Sequence, residues 1–182
     1  MPYSADVTEQ FEILDLFTSE ESDFYGPFNS LLFELFPTNE HYQIAPQFKR
    51  LHESLDFTIQ FIIRCRRVPV FFIDIRTFRS LKELSARASA DRQMRDRYLE
   101  FASGSISTPI LYGLSAFGPQ FSVYTYDPAS TNLTPHEISR DPHRLNDVAP
   151  EDQWAYNLLE EAGEAKLREI VGNVKSMVAV VV

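Results

Sequence analysis

Asp74 and Arg76 close an otherwise apolar, β-prone run, Val68-Pro69-Val70-Phe71-Phe72-Ile73-Asp74-Ile75-Arg76, and their placement demands a chemical reason. The two-residue period of a strand puts both on one face, with Ile73 and Ile75 on the other. A carboxylate in such a run has to be paired, hydrogen-bonded or holding a cation, because an isolated buried charge is too costly to keep. Two further acids, Glu34 and Asp56, fall on neighbouring predicted elements. Hard divalent ions take oxygen ligands, usually one or two carboxylates with water and substrate phosphate. Asp56 and Asp74 on adjacent strands would therefore make a site for Mg²⁺ or Mn²⁺, with Glu34 completing the acidic cluster. Such an ion activates water and stabilises the charge that builds on a phosphodiester. The plainer alternative for Asp74 is an internal ion pair with an arginine, and for Glu34 and Asp56 an ordinary place at the surface.

The elements that must position these residues follow from periodicity. Residues 1–23 read as an acidic amino-terminal arm, in which Phe11, Ile13, Leu14, Leu16 and Phe17 would dock as one short helix. A helix starting at Phe24 or Pro27 runs to Phe36, with Phe28, Leu31, Leu32 and Leu35 at core spacing and Pro37 stopping it. Residues 42–47 suggest a strand edge. Over 55–65, Leu55, Phe57, Ile59, Phe61 and Ile63 alternate with Asp56, Thr58 and Gln60, the pattern of a half-buried strand with polar residues outward. Arg66-Arg67 is a tight turn into the 68–76 strand, making a hairpin. Helix formers dominate 80–102. Residues 108–115 and 120–126 read as strands joined by Ala116-Phe117-Gly118-Pro119, 127–150 as a long polar loop, and 149–177 as a last helix with Trp154 as a core anchor. The order α, β-hairpin, α, ββ, α without a linker predicts a single α/β domain over 24–182, with a mixed central sheet flanked by helices.

With 182 residues, fifteen Phe and eight Tyr, the chain has ample material for one core. One cysteine, Cys65, excludes an internal disulfide, and with no signal-like amino terminus this points to an intracellular, cytoplasmic or nuclear, setting. The terminal apolar run 177–182 is too short to span a bilayer, so no membrane partner is expected. An exposed 178–182 end would pair as a strand or pack on another subunit, giving a homo-oligomer. The net charge of −9 argues against a generic polyanion binder, yet the charge is segregated. Residues 1–40 hold nine acids and no Lys or Arg, whereas 49–97 hold twelve bases against six acids and surround the Asp74 strand.

The order Asp56, then Asp74-Ile75-Arg76 closing an apolar strand, resembles the PD-(D/E)XK restriction-endonuclease-like superfamily. That family carries an Asp on one strand and (Asp/Glu)-x-Lys on the next. Gln93 with Tyr98 on the following helix is similar to a Gln and Tyr recurring in several branches, displaced by one residue. The segment from Leu111 to Tyr124, with Gly113 and Gly118, is similar to a Gly-containing hairpin of type I restriction subunits. The resemblance covers about residues 24–127. It implies a restriction-endonuclease-like fold and Mg²⁺- or Mn²⁺-dependent hydrolysis of phosphodiesters. In that scheme Asp56 and Asp74 are the metal ligands, Gln93 positions water or phosphate, and Arg76 stabilises developing charge. Two departures stand out: no Pro-Asp pair precedes the first strand, and Arg76 replaces the Lys. An arginine stays protonated and cannot act as a general base. Arg76 would then be a tolerated variant, or its task would pass to Lys82 or Lys49, or catalysis would be lost.

On the 80–102 helix, Arg87, Arg92, Arg95 and Arg97 would contact phosphates, as would Lys82 just outside its apolar stripe; phosphate contacts give affinity without sequence information. The alternative is a solvated helix face with i,i+4 pairs. Gly113-Leu114-Ser115 lacks the second Gly of a nucleophile elbow, and His136 and His143 match no zinc pattern. The expectation is a divergent nuclease acting on nucleic acid, DNA before RNA. Its rivals are an inactive nuclease-like domain that binds nucleic acid or protein, and a pure interaction protein whose acidic arm covers its basic stretch.

Overall fold

The computed structural model describes residues 3–50, 57–104 and 106–181. The sheet is built outward from β3 (Val68–Arg76), where Val70 through Arg76 are all buried, as expected of a strand covered on both faces. β2 (Phe57–Cys65) runs antiparallel on one side of it, with β1 (Tyr42–Arg50) antiparallel beyond β2. On the other side β4 (Leu111–Phe117) is parallel to β3. A parallel pair needs a crossover, and α3 (Leu84–Ala102) supplies it. β5 (Gln120–Asp127) returns antiparallel to β4 and carries two short partners, β6 (Asn132–Thr134) and β7 (Tyr156–Asn157). With α1 (Ala5–Glu12), α2 (Tyr25–Leu35) and α4 (Glu161–Val181), this is an α/β fold with a mixed sheet flanked by helices.

The expected hairpin is present. Cys65 pairs with Val68 around a two-residue loop in which Arg66 and Arg67 both have positive φ, 46° and 76°. This is the φ pattern of a type I′ turn, whose twist suits a hairpin but which favours Asn-Gly. Left-handed backbone costs residues with a Cβ about 1–2 kcal/mol each. Just above the turn the register slips: Ile63 faces Phe71 but Arg64 faces Pro69, so Val70 is the extra residue of a bulge. Proline has no N–H for the ladder and is tolerated where pairing is already interrupted.

Alternation then divides the strands between two layers. Phe61, Ile63, Phe71, Ile73, Ile75, Leu114, Ala116 and Phe121 point to one side and join a single apolar cluster with α1, α2 and α4. The acidic amino-terminal segment, expected to dock through one short helix, joins this core. Val7 and Phe11 are buried, and Phe11 meets Phe28 edge-on at 5.3 Å. The opposite side is covered by α3 and by a short 3-10 turn, Glu151–Trp154. Trp154 is the core anchor expected, set edge-on against Phe117.

The carboxy-terminal expectation needs two corrections. No single helix runs from Glu151: after the 3-10 turn the chain pairs as β7 with β5, and α4 begins at Glu161. The valine-rich end is not a strand, because α4 continues to Val181 with Val178 turned into the core. Among the described residues no helix is long and apolar enough to cross a membrane.

Candidate functional site

Residues that face one another across the ladders share a side of the sheet. Following the register from β1 to β5 gives Gln47, Gln60, Asp74, Ser115 and Ser122, a polar row across five strands on the α3 side. Gln60, Asp74, Ser115 and Ser122 are all buried. One rung higher lie Ile62, Phe72, Gly113 and Tyr124, which pack with Met94 and Tyr98 of α3. Gly113 is needed there: a Cβ would come within 2.6 Å of the Phe72 ring and 2.7 Å of the Tyr98 hydroxyl. The polar row is thus held beneath α3 by an apolar contact at one end.

α3 meets the row with residues spaced by four: Ser89, Gln93 and Arg97 fall on one helix stripe. Arg76 donates to Gln93 Oε1 at 2.7 Å and to Ser89 Oγ at 3.2 Å. Gln60 Nε2 donates to Asp74 Oδ1 at 3.0 Å, while Gln60 Oε1 accepts from the Arg97 guanidinium. Arg97 also pairs with Glu100. Ser115, opposite Asp74 on β4, accepts from Trp154 Nε1 at 3.2 Å. The structure thus brings Asp74, Arg76 and Gln93 to one side of the sheet, as the sequence suggested, with Asp74 4 % and Arg76 5 % exposed. It adds Gln60, Arg97, Ser89 and Ser115, which the sequence reading did not place there. Gln60 was expected on a solvated strand face and is instead 1 % exposed.

Glu34 does not join this group. It lies on α2, across the sheet, where it accepts from the Ser4 backbone N–H at 3.0 Å and faces Arg168 at 3.6 Å. Asp56 and the side chain of Lys49 lie outside the described residues.

Four of the five residues expected to contact phosphate have partners within the fold, Arg97 as just described. Arg87 is buried and donates to the carbonyls of Ala149 and Leu81, both at 2.8 Å, and pairs with Asp147. Arg95 grips Asp91 through two nitrogens and reaches the Pro135 carbonyl at 3.0 Å. Lys82 pairs with Glu151. These bases fasten both ends of the 135–150 loop and the Glu151–Trp154 turn to the protein. Arg92 and Lys82 are exposed, Lys82 while paired with Glu151. Within the basic segment, Lys82, Arg87, Arg95 and Arg97 pair with Glu151, Asp147, Asp91 and Glu100 in turn. Beside Arg95, Tyr124 donates to Asp91 at 2.8 Å and accepts from Gln153. Burial, and then the Asp91 charge, push the Tyr124 hydroxyl well above the ordinary tyrosine range. His136 and His143 are exposed on the loop.

The described donor set offers a divalent ion one carboxylate, Asp74. Its Oδ1 already accepts from an amide, and it sits two residues from one guanidinium and one amide away from another. Of the two carboxylates expected to hold Mg²⁺ or Mn²⁺ with water and phosphate, Asp74 is the one described, and Asp56 lies outside the described residues. Among the described residues no three His, Cys, Asp or Glu side chains gather as a metal-ligand group. What the arrangement does provide is a buried, alternating series of charges and amides whose geometry is fixed by α3. Comparison with protein-family models, curated proteins and solved structures finds no match for this chain.

Proposed function

We propose that this chain is a nucleic-acid-binding domain of PD-(D/E)XK-like build whose β3 site keeps the charges of a nuclease without cutting. One observation carries the reading. Where the resemblance has a lysine amine there is a guanidinium, Arg76, held beneath α3 by Gln93 and Ser89. A guanidinium keeps its proton at any working pH, so it supplies charge and direction but takes no proton from water. Gln60 holds Asp74 in the same way, and both charged groups are almost fully buried. Ser89, Gln93 and Arg97 thus order β3 against α3. The remaining arginines of α3, Arg92 apart, serve the fold, which leaves phosphate binding to Arg92 and to exposed bases elsewhere. The buried lone thiol of Cys65 fits a reducing, intracellular setting.

The test is incubation of labelled single- and double-stranded DNA and RNA with Mg²⁺, Mn²⁺ or EDTA. The wild type, Asp74→Asn and Arg76→Lys are run side by side. Wild type and Asp74→Asn are expected to leave every substrate intact in all three conditions. Metal-dependent cleavage by wild type that disappears in Asp74→Asn would overturn the reading and establish an active nuclease.

A further inference from the structure

The loop between β6 and the Glu151–Trp154 turn, residues 135–150, has no regular secondary structure, yet two arginines of α3 hold it in place. Arg95 fastens its start through the Pro135 carbonyl, and Arg87 fastens its end through Asp147 and the Ala149 carbonyl. A third tie closes the loop on itself. Asn146 Nδ2 donates to the Ser139 carbonyl and Asn146 Oδ1 accepts from the Asp141 N–H, both at 2.9 Å. Long loops are uncommon in compact domains, and one pinned in this way is a platform for side chains rather than a slack connection. It carries outward two guanidiniums and one apolar side chain. Arg140 and Arg144 are exposed and, among the described residues, form no ion pair. Leu145 is 90 % exposed, more than any other large apolar side chain described. Because Asn146 reaches both Ser139 and Asp141, it draws Arg140 to the same end of the loop as Arg144 and Leu145. Of the acids in the loop, Asp147 is paired with Arg87, Asp141 accepts from the His143 N–H at 2.8 Å, and Glu137 is exposed.

We infer that the 139–146 tip is a duplex-contacting element of the domain, with Arg140 and Arg144 gripping phosphates and Leu145 inserting between bases. The inference rests on the nucleic-acid-binding reading above and assigns it a contact surface. An exposed leucine is ordinary by itself. Set beside two guanidiniums on a pinned tip, it matches the chemistry of side chains that enter a duplex, an apolar wedge at a base step with cations on the neighbouring phosphates. Guanidiniums suit phosphate because their fixed forks give paired hydrogen bonds along with charge. The arginine contribution is screened by salt and the leucine contribution is not, so the two separate by experiment. The ties that hold the tip belong to Arg87, Arg95 and Asn146, so the three outward side chains can be replaced without loosening the loop.

Two variants of the full chain are compared with the wild type, Arg140→Gln with Arg144→Gln, and Leu145→Ala. Binding to a fluorescein-labelled DNA duplex is followed by anisotropy over a salt series. A second duplex, with 2-aminopurine in place of its adenines, brightens where a step is unstacked, and thermal unfolding is measured on the same proteins. The arginine variant is expected to bind about tenfold or more weakly, with a log K against log salt slope shallower by about two, the value for two lost phosphate contacts. Leu145→Ala should keep the wild-type slope, bind about tenfold more weakly and lose the 2-aminopurine signal. All three proteins should share one Tm, because the replaced side chains are exposed. Wild-type affinity and salt slope in the arginine variant would overturn the inference while leaving the domain a nucleic-acid binder by some other surface. Full 2-aminopurine brightening by Leu145→Ala, or none by the wild type, would overturn the insertion of Leu145. No salt-sensitive binding by the wild type would bring down the functional reading and this inference with it, and would leave the tip to a protein partner. A lower Tm in either variant would overturn the claim that these side chains serve a contact outside the fold.

Discussion

The two sides of the sheet are made from the same strands by alternate residues and have opposite characters. Toward α1, α2 and α4 the strands present Phe61, Ile63, Phe71, Ile73, Ile75 and Leu114, closed by Phe28, Leu31, Ile170 and Val174. Toward α3 they present Gln60, Asp74, Arg76, Ser115 and Ser122, with the apolar contacts reduced to two smaller clusters beside them. Cohesion on the first side is non-directional and scales with area. On the second it depends on each polar atom finding its partner, and an unmatched buried group is costly. One side therefore carries stability and tolerates conservative exchange, whereas the other carries specific geometry and tolerates little.

That contrast can be broken at either side. Phe71 is fully buried and tilted against Phe36 at 5.4 Å, so Phe71→Ala should have the largest effect, a loss of about 3–5 kcal/mol in urea unfolding. A loss below about 1 kcal/mol would mean that the apolar layer is less decisive than its packing suggests. On the polar side, Gln60→Ala removes the amide that joins Asp74 to Arg97 and should lose about 1–3 kcal/mol. Combined with Arg97→Met it should be clearly non-additive, and strict additivity in the double-mutant cycle would deny that the row acts as a unit.

The smallest effect sharpens the comparison through pH. On the apolar side, burial raises Tyr42, with Cys65 and then Glu40 adding, from 10.0 to about 12. Burial likewise raises Tyr98 and Tyr124 on the α3 side. A tyrosine is neutral when protonated. If its folded value is the higher one, the native state holds more protons than the unfolded chain above pH 10, and stability falls as pH rises. The Tyr42 contribution is whole below pH 10.0 and is lost as pH climbs through about 12. Tyr42→Phe should therefore flatten part of the alkaline decline in Tm over that interval. The remaining decline is left to Tyr98, Tyr124 and Tyr3, which burial raises likewise, and an unchanged curve would exclude Tyr42 from it.

The sequence was legible where local pattern and tertiary role coincide. The apolar run of β3, the hairpin at Arg66-Arg67 and the α2 stripe of Phe28, Leu31, Leu32 and Leu35 all follow from period and turn chemistry. Asp74, Arg76 and Gln93 could be assigned to one side of the sheet because strand and helix periods each fix a face. Gln60 was misjudged because alternation shows only that two faces differ, not that a helix will cover the polar one. Arg87 and Arg95 were taken for substrate contacts because their partners are distant in sequence: Ala149 lies 62 residues from Arg87, and Pro135 lies 40 from Arg95. No local signal announces such a pairing. The last helix was started too early because Glu151-Asp152 is good amino-terminal chemistry, yet it serves a 3-10 turn that seats Trp154 on Ser115.

The parallel pairing of β3 with β4 also has a consequence for the chain as it leaves the ribosome. The β1–β2–β3 meander is continuous in sequence and can pair as soon as residue 76 emerges. The neighbour of β3 on its other side begins only at Leu111, after the whole of α3. For the seconds needed to make those roughly 35 residues, the most apolar strand of the protein is an edge strand. An uncovered edge of this kind is where nascent chains join one another, so the interval before β4 arrives is the one in which a chaperone has most to protect.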